Sequence, residues 1–262
     1  MSEYVTKGNH PIDSALRSRI SSRYKTITKA INNDMWNSNS DTAHSRYVGS
    51  YGRGTAINVS DLDVLHELPQ GEYEHFTSLN GNGPSRLLQT VKNAILCTYP
   101  KTDIKGDGQV VVVKFSDGMK FEILPAFRKE DGSYAYPDTH MGGHWLPTHP
   151  EDEQNAMANK NHESNGLLFD TCRHIRYVRS KNFSSYHLSG ILIDAFAYEA
   201  IGNWHWLREG EKGGKNLGAF EQVLLNYYND QSYYPMIYTP GSYTNVETND
   251  WDILGKVLNK MV

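Results

Sequence analysis

An α+β architecture, with a mixed sheet and flanking helices in the first half and helices alone in the second, is predicted for this 262-residue chain by three features. Short apolar runs and a hairpin signal gather between residues 45 and 127. Helical periodicity accompanies them at 16–35 and 84–95. Beyond about residue 150 the long segments read as helices.

In chain order, Leu16, Ile20, Tyr24, Ile27, Ile31 and Met35 recur at three- and four-residue steps, the spacing of one helix face. Asp13 precedes them as an N-cap. "SRYVGS" and "LDVLHEL" predict two short strands joined by a Gly-rich turn. Pro84 opens a helix, a position where its missing N–H costs nothing, and Leu87, Leu88, Val91 and Ile95 form the buried stripe. "QVVVVKF" and "MKFEILPAF" flank "SDG" and predict a hairpin. Residues 128–150, rich in Gly and Pro, are expected to form a long connecting loop. "GLLFDTCRHIRYVRS", "SYHLSGILIDAFAYEAIGNW", "LGAFEQVLLNYYND" and "NDWDILGKVLNKMV" predict helices, with a loop from Gln231 to Thr248 packed on them. The expected domains are a catalytic lobe, with the N-terminal helix, at 1–150 and a helical lobe at 151–262.

Composition narrows the function classes. No apolar run approaches the roughly 18 residues of a membrane span, and the N-terminus lacks the apolar core of a secretory signal. With Cys97 and Cys172 the only cysteines, a reducing cytoplasm is the expected compartment. A formal charge of −4 offers no global attraction to anionic membrane or nucleic acid, so neither is expected as a constitutive partner.

The stretch "VGSYGRGTAINVSDLDVLHEL", Val48 to Leu68, places Asp61 and Asp63 two apart on a predicted strand. Such side chains share a face. Paired carboxylates repel one another and lose hydration unless a cation lies between them, and a divalent metal is the fitting one. Gly49 and Ser50 add a backbone that can approach phosphate closely and a hydroxyl that can hold its oxygens. Magnesium, or manganese, suits that oxygen-rich setting, and two ions about 4 Å apart can serve phosphoryl transfer. Glu122, interrupting the apolar strand "KFEILPAF", is the candidate third carboxylate. Periodicity alone leaves it equally open to a solvated face.

These residues resemble the nucleotidyltransferase superfamily signature of Gly-Ser, then two acidic residues separated by one, then a third acid on a later strand. "GSYGRGT", "SDLDV" and "FEILPAF" together are similar to the bacterial CD-NTases, relatives of cyclic GMP-AMP synthase and oligoadenylate synthase. "YPDTHMGGHWLPTHP" resembles the Pro-Asp…Trp…Pro segment of that family, and "IRYVRSKNFSSYHL" its donor-triphosphate segment. Val178 and Ser189 depart from the tryptophan and glutamate usual in the latter. The likeness spans roughly residues 45–200.

The resemblance implies a DNA polymerase β-like lobe joined to a helical lobe around a central cleft. It implies metal-dependent joining of nucleoside triphosphates into a cyclic di- or trinucleotide second messenger, with release of pyrophosphate, in bacterial anti-phage (CBASS) signalling. Asp61, Asp63 and Glu122 would be catalytic and hold two Mg²⁺ or Mn²⁺ ions. Gly49, Ser50, Arg176, Ser185 and Tyr186 would bind the donor nucleotide. A regulatory partner and a product-binding effector are expected alongside. The alternatives are a linear oligonucleotide synthase, an enzyme that tags RNA or protein with nucleotides, and a catalytically inactive nucleic-acid sensor.

Other residues have plainer readings. His140, His144 and His149 lack a neighbouring cysteine and read as surface histidines rather than zinc ligands. Among Arg173, Arg176, Arg179 and Lys181, one or two phosphate contacts are expected. Arg53 either braces its turn or touches phosphate. Tyr227, Tyr228, Tyr233 and Tyr234 read as packing residues.

Overall fold

The computed structural model describes residues 4–57, 61–213, 218–231 and 235–262. The chain divides into two compact units. Ile12–Gly52 and Asn58–Pro150 form a sheet unit; Met1–Pro11, Arg53–Ile57 and Glu151–Val262 form a helical one.

In the sheet unit, α1 (Ser14–Met35) starts where the Asp13 carboxylate accepts hydrogen bonds from the Ala15 and Leu16 amides. This cap satisfies two N–H groups that a helix start leaves without intrahelical partners. Ile20, Tyr24, Ile27 and Ile31 are buried, as their spacing requires. β1 (Ser45–Tyr47) lies antiparallel to β2 (Asp61–Glu67). Between them stands α2 (Gly49–Gly52), one helical turn rather than a plain loop. α3 (Gln70–Ser78) was not expected from the sequence, since Phe76 is its one buried side chain. In α4 (Gly83–Thr98) the Asn82 side chain accepts from the Ser85 amide, Pro84 occupies the first turn, and the apolar stripe is buried. β3 (Asp103–Asp107), β4 (Val110–Lys114) and β5 (Lys120–Arg128) complete the order β1-β2-β5-β4-β3. β2 and β5 are parallel, and the other pairs in that order are antiparallel.

Residues 128–150 are not a loop. β6 (Tyr134–Asp138) pairs with the end of β5 and, over its whole length, with β7 (His144–Thr148). Gly142 and Gly143, at φ +92° and +93°, let the chain reverse between them. The Gly and Pro content therefore marks a hairpin that extends the sheet, with Pro147 on its outer strand, where a missing N–H is tolerated.

The helical unit holds α5 (Pro150–Glu163), α6 (Leu167–Asn182), α7 (Gly190–Ala200), α8 (Ala219–Asp230) and α9 (Trp251–Met261). α5 escaped the sequence reading because it is polar almost throughout; Met157 is its fully buried anchor. α7 begins only at Gly190, so "SYHLS" is the end of a turn followed by irregular chain, outside the helix. Phe196, Leu192, Leu224, Leu254 and Val257 belong to one continuous core, and Tyr227 and Tyr228 pack against it. Tyr233 and Tyr234 lie outside the described residues. In the Gln231–Thr248 segment, Ile237 and Val246 are buried and a bridge joins Tyr238 to Asn245. Among the described residues no helix is long and apolar enough to cross a membrane.

Candidate active site

Parallel pairing of β2 with β5 sets Asp61 beside Lys120 and Asp63 beside Glu122. Because strand residues two apart share a face, three carboxylates and one ammonium project together from the middle of the sheet. The opposite face of the same strands is core, with Leu62, Phe121 and Ile123 fully buried. Glu122 therefore does sit on the more open face, 30% exposed, but on that face it adjoins Asp63. Further along, this face is closed by a small apolar cluster of Leu65, Ala126 and Tyr134. The carboxylates stand at its open end.

The Gly49–Ser50 turn folds over this face. The Val48 amide donates to the Asp63 carbonyl at 2.8 Å, and α2 then packs against β2. Gly49 has φ +58°, and a Cβ placed there would lie 1.9 Å from Asp63 Oδ2. Only glycine can bring backbone that close to the carboxylate.

Lys120 is the site residue that the sequence reading missed. Its Nζ lies 2.7 Å from Glu122 Oε1 and 3.1 Å from Asp61 Oδ1. The bond to Glu122 is the main reason its pKa is held above the ordinary lysine value, against partial burial and with help from Asp61. The signal was present in "MKFE", where alternation puts Lys120 on the same face as Glu122.

The remaining nominated residues lie in the helical unit. Arg176 was expected to contact triphosphate; its guanidinium has other partners here. It donates to Asp194 Oδ1 at 2.6 Å, to the Gly190 carbonyl at 2.8 Å and to the Cys172 carbonyl at 3.2 Å. Asp194 Oδ2 accepts from Arg53 Nε at 2.9 Å and from the Thr55 hydroxyl at 3.0 Å. Burial alone would push the Asp194 carboxyl up, but Arg176 and then Arg53 outweigh it and hold its pKa below the usual range. Arg53 thus braces its segment rather than standing open, and Arg173 reinforces it by donating to the Gly54 carbonyl at 2.8 Å. An acid inside the apolar helix "GILIDAFAYEA" was the overlooked sign of this knot. Ser185 and Tyr186 sit on the exposed turn before α7, where Arg179 donates to the Tyr186 carbonyl.

Two further groups are set apart from this chemistry. His140 and His144 pair with Asp138. Among the described residues no three His, Cys, Asp or Glu side chains are disposed to hold a metal ion, either at these histidines or on the carboxylate face. A cavity of about 690 Å³ in the helical unit is lined by Tyr4, Trp204, Trp206 and Phe220, with no member of the carboxylate face.

Residues 10–161, more than half of the chain, match the family described as the Second Messenger Oligonucleotide or Dinucleotide Synthetase domain. The chain belongs to this family. It is a nucleotidyltransferase of the CD-NTase group, an oligonucleotide or dinucleotide synthetase. Solved structures agree in fold. The STING-associated CdnE c-di-GMP synthase of Capnocytophaga granulosa is 13% identical, with 93% of this chain and 77% of that one covered at a TM-score of 0.65. The CdnE cyclic dinucleotide synthase of Elizabethkingia meningoseptica, with GTP and Apcpp, is 13% identical over 95% and 97%, at 0.64. The E. coli MS115-1 CdnC:HORMA-deltaN complex is 12% identical over 95% and 84%, at 0.59. No curated protein matches the chain. The synthetase match includes every residue of the carboxylate face and ends before Arg176.

Proposed function

We propose that this synthetase joins nucleoside triphosphates into a cyclic di- or trinucleotide, with its chemistry on the Asp61, Asp63 and Glu122 face. The observation that carries the reading is the β2–β5 register, which sets Asp63 beside Glu122 with Asp61 on the same face. In each transfer an acceptor ribose hydroxyl attacks the donor α-phosphorus, the bond to the bridging oxygen breaks, and pyrophosphate leaves. The last transfer uses the hydroxyl of the growing product itself and closes the ring.

Asp61, Asp63 and Glu122 are the residues that would hold Mg²⁺ or Mn²⁺: carboxylate oxygens are the donors such ions prefer, although Lys120 is bonded to Asp61 and Glu122 here and, among the described residues, no three such side chains are gathered about one ion position. When bound, such ions supply charge stabilisation at the attacking and leaving oxygens. Glu122 takes the hydroxyl proton in this reading. Gly49 and Ser50 hold donor phosphate through backbone N–H and hydroxyl groups. On the helical unit, Ser185 and Tyr186 are the proposed triphosphate contacts. Arg176, committed to Asp194 and Gly190, supports the start of α7 that follows their turn.

Support for the substrate class comes from the neighbour solved with GTP and Apcpp. The HORMA complex of another supports a regulatory protein partner. A role in anti-phage signalling, with an effector that binds the product, completes the proposal. The test is incubation with all four nucleotides and Mg²⁺, followed by phosphatase. A ring has no terminal phosphate and survives unchanged. A ladder shifted by phosphatase, or label appearing only on RNA or protein, would replace the cyclase reading with a linear or tagging one.

A further inference from the structure

Lys120 lies where a cation is most wanted. Asp61 and Glu122 are neighbouring acids on adjacent strands, and its ammonium bonds to both. Folding gives no separate reason for a lysine there. Met119 and Phe121, the residues beside it, are the buried ones, while Lys120 projects from the open face with 27% of its side chain exposed. An ammonium and a divalent ion seek the same carboxylate oxygens, and both cannot have them. The ammonium is compact, carried on a flexible four-carbon stem, and able to swing away when something stronger arrives.

Building on the metal-binding reading of Asp61, Asp63 and Glu122, we propose that Lys120 is a positioning residue that occupies the cation position between Asp61 and Glu122. It keeps the two carboxylates apart from one another's charge and in register before metal binds. A divalent ion must displace it, so the enzyme without nucleotide binds metal weakly. The incoming triphosphate, a polyanion, then gives the released ammonium a new partner. Loading of metal is thereby coupled to loading of nucleotide, and the carboxylates are not saturated by cation in the idle enzyme.

The sign of the effect separates this from a structural role. Losing a merely structural lysine would loosen the carboxylates and weaken metal binding; losing a competing cation strengthens it. The experiment titrates Mn²⁺ against the full-length chain without nucleotide and reads free Mn²⁺ by electron paramagnetic resonance. Lys120→Met is expected to bind Mn²⁺ about tenfold or more tightly than the parent, since a unit positive charge beside the ion has gone. Lys120→Arg should stay close to the parent. If Lys120→Met does not fold, Lys120→Gln carries the same expectation. Unchanged or weaker Mn²⁺ binding in a folded, charge-free variant overturns the proposal. A parallel titration with a non-hydrolysable triphosphate compares the parent with Asp63→Asn. If Asp63→Asn binds Mn²⁺ as the parent does, the metal reading itself fails and takes this proposal with it. If Asp63→Asn loses binding while Lys120→Met gains none, only the role of Lys120 is lost.

Discussion

Two clusters of opposite charge organise this protein, and they differ in what surrounds them. On the sheet, Asp61 and Glu122 share Lys120 with side chains 55%, 30% and 27% exposed. In the helical unit, Asp194 is fully buried between Arg53 and Arg176, which are 8% and 11% exposed. Both clusters pair acids with bases at hydrogen-bond distance. Water reaches the first and not the second. Charges that water reaches can exchange partners at modest cost and are available to a substrate or an ion. Charges sealed from water cannot lose a partner without leaving a desolvated charge behind. The open cluster is suited to chemistry and the buried one to holding the R-G-T segment in the helical unit.

The sharpest break of this comparison is Asp194→Asn. Two guanidiniums would be left without their carboxylate in a buried site, and a loss of about 3–5 kcal/mol is expected by chemical denaturation. A variant as stable as the parent would show that the knot is not structural. Next comes the mirror experiment. Asp63→Asn, and likewise Asp61→Asn or Glu122→Gln, should lower turnover by at least about 100-fold with the melting temperature little changed. Steady-state assays at saturating Mg²⁺ beside a thermal melt separate the two effects. Near-normal turnover in folded Asp63→Asn would remove these carboxylates from the chemistry.

Much of this contrast was legible in the sequence. The Asp61–Asp63 spacing predicts two carboxylates on one strand face, because period-two geometry dictates which side chains share a face, and Glu122 joins that face through the β2–β5 register. α1, α4 and the β4–β5 hairpin follow from periodicity, a cap and a turn. What escaped were features that depend on partners distant in sequence. Nothing local says that Asp61 pairs with Lys120, or that Asp194 lies between Arg53 and Arg176, separated by 141 and 18 residues. The 128–150 segment misled for another reason. Glycines that serve a hairpin reversal and glycines that serve a loop look alike until the strands on either side are known to pair. α3 and α5 bury too little for an apolar stripe to reveal them.

A smaller effect probes the approach of the turn to the open cluster. Gly49→Ala forces a left-handed backbone on an L residue, about 1–2 kcal/mol, and drives a methyl group into the Asp63 carboxylate. Displacing that carboxylate should lower turnover about 10- to 100-fold. Full activity in Gly49→Ala would mean the close approach is incidental.

An effect read only as a pH slope, and absent at neutral pH, lies on the other face of β2. His66 is buried there, its Nδ1–H donating to the His44 carbonyl at 2.9 Å, and burial, with His44 adding to it, pushes its pKa down to about 3. The unfolded chain takes up a proton near pH 6.5 that the folded state refuses, so stability falls as pH drops from about 6.5 toward 3. His66→Asn removes the titrating group and keeps a donor for His44. Over that range its unfolding free energy should decline less steeply than the parent's, by up to about 1.4 kcal/mol per pH unit. Identical slopes would show that His66 is not buried in its neutral form.

Ring closure on the carboxylate face leaves a stoichiometric signature. Pyrophosphate released and nucleotide incorporated are counted in the same reaction, once with the parent enzyme and once with Glu122→Gln. Ring closure releases as many pyrophosphates as nucleotides incorporated, and Glu122→Gln should release almost none. One pyrophosphate fewer than nucleotides in each product molecule would mean a linear chain, and undiminished release by Glu122→Gln would place the chemistry elsewhere.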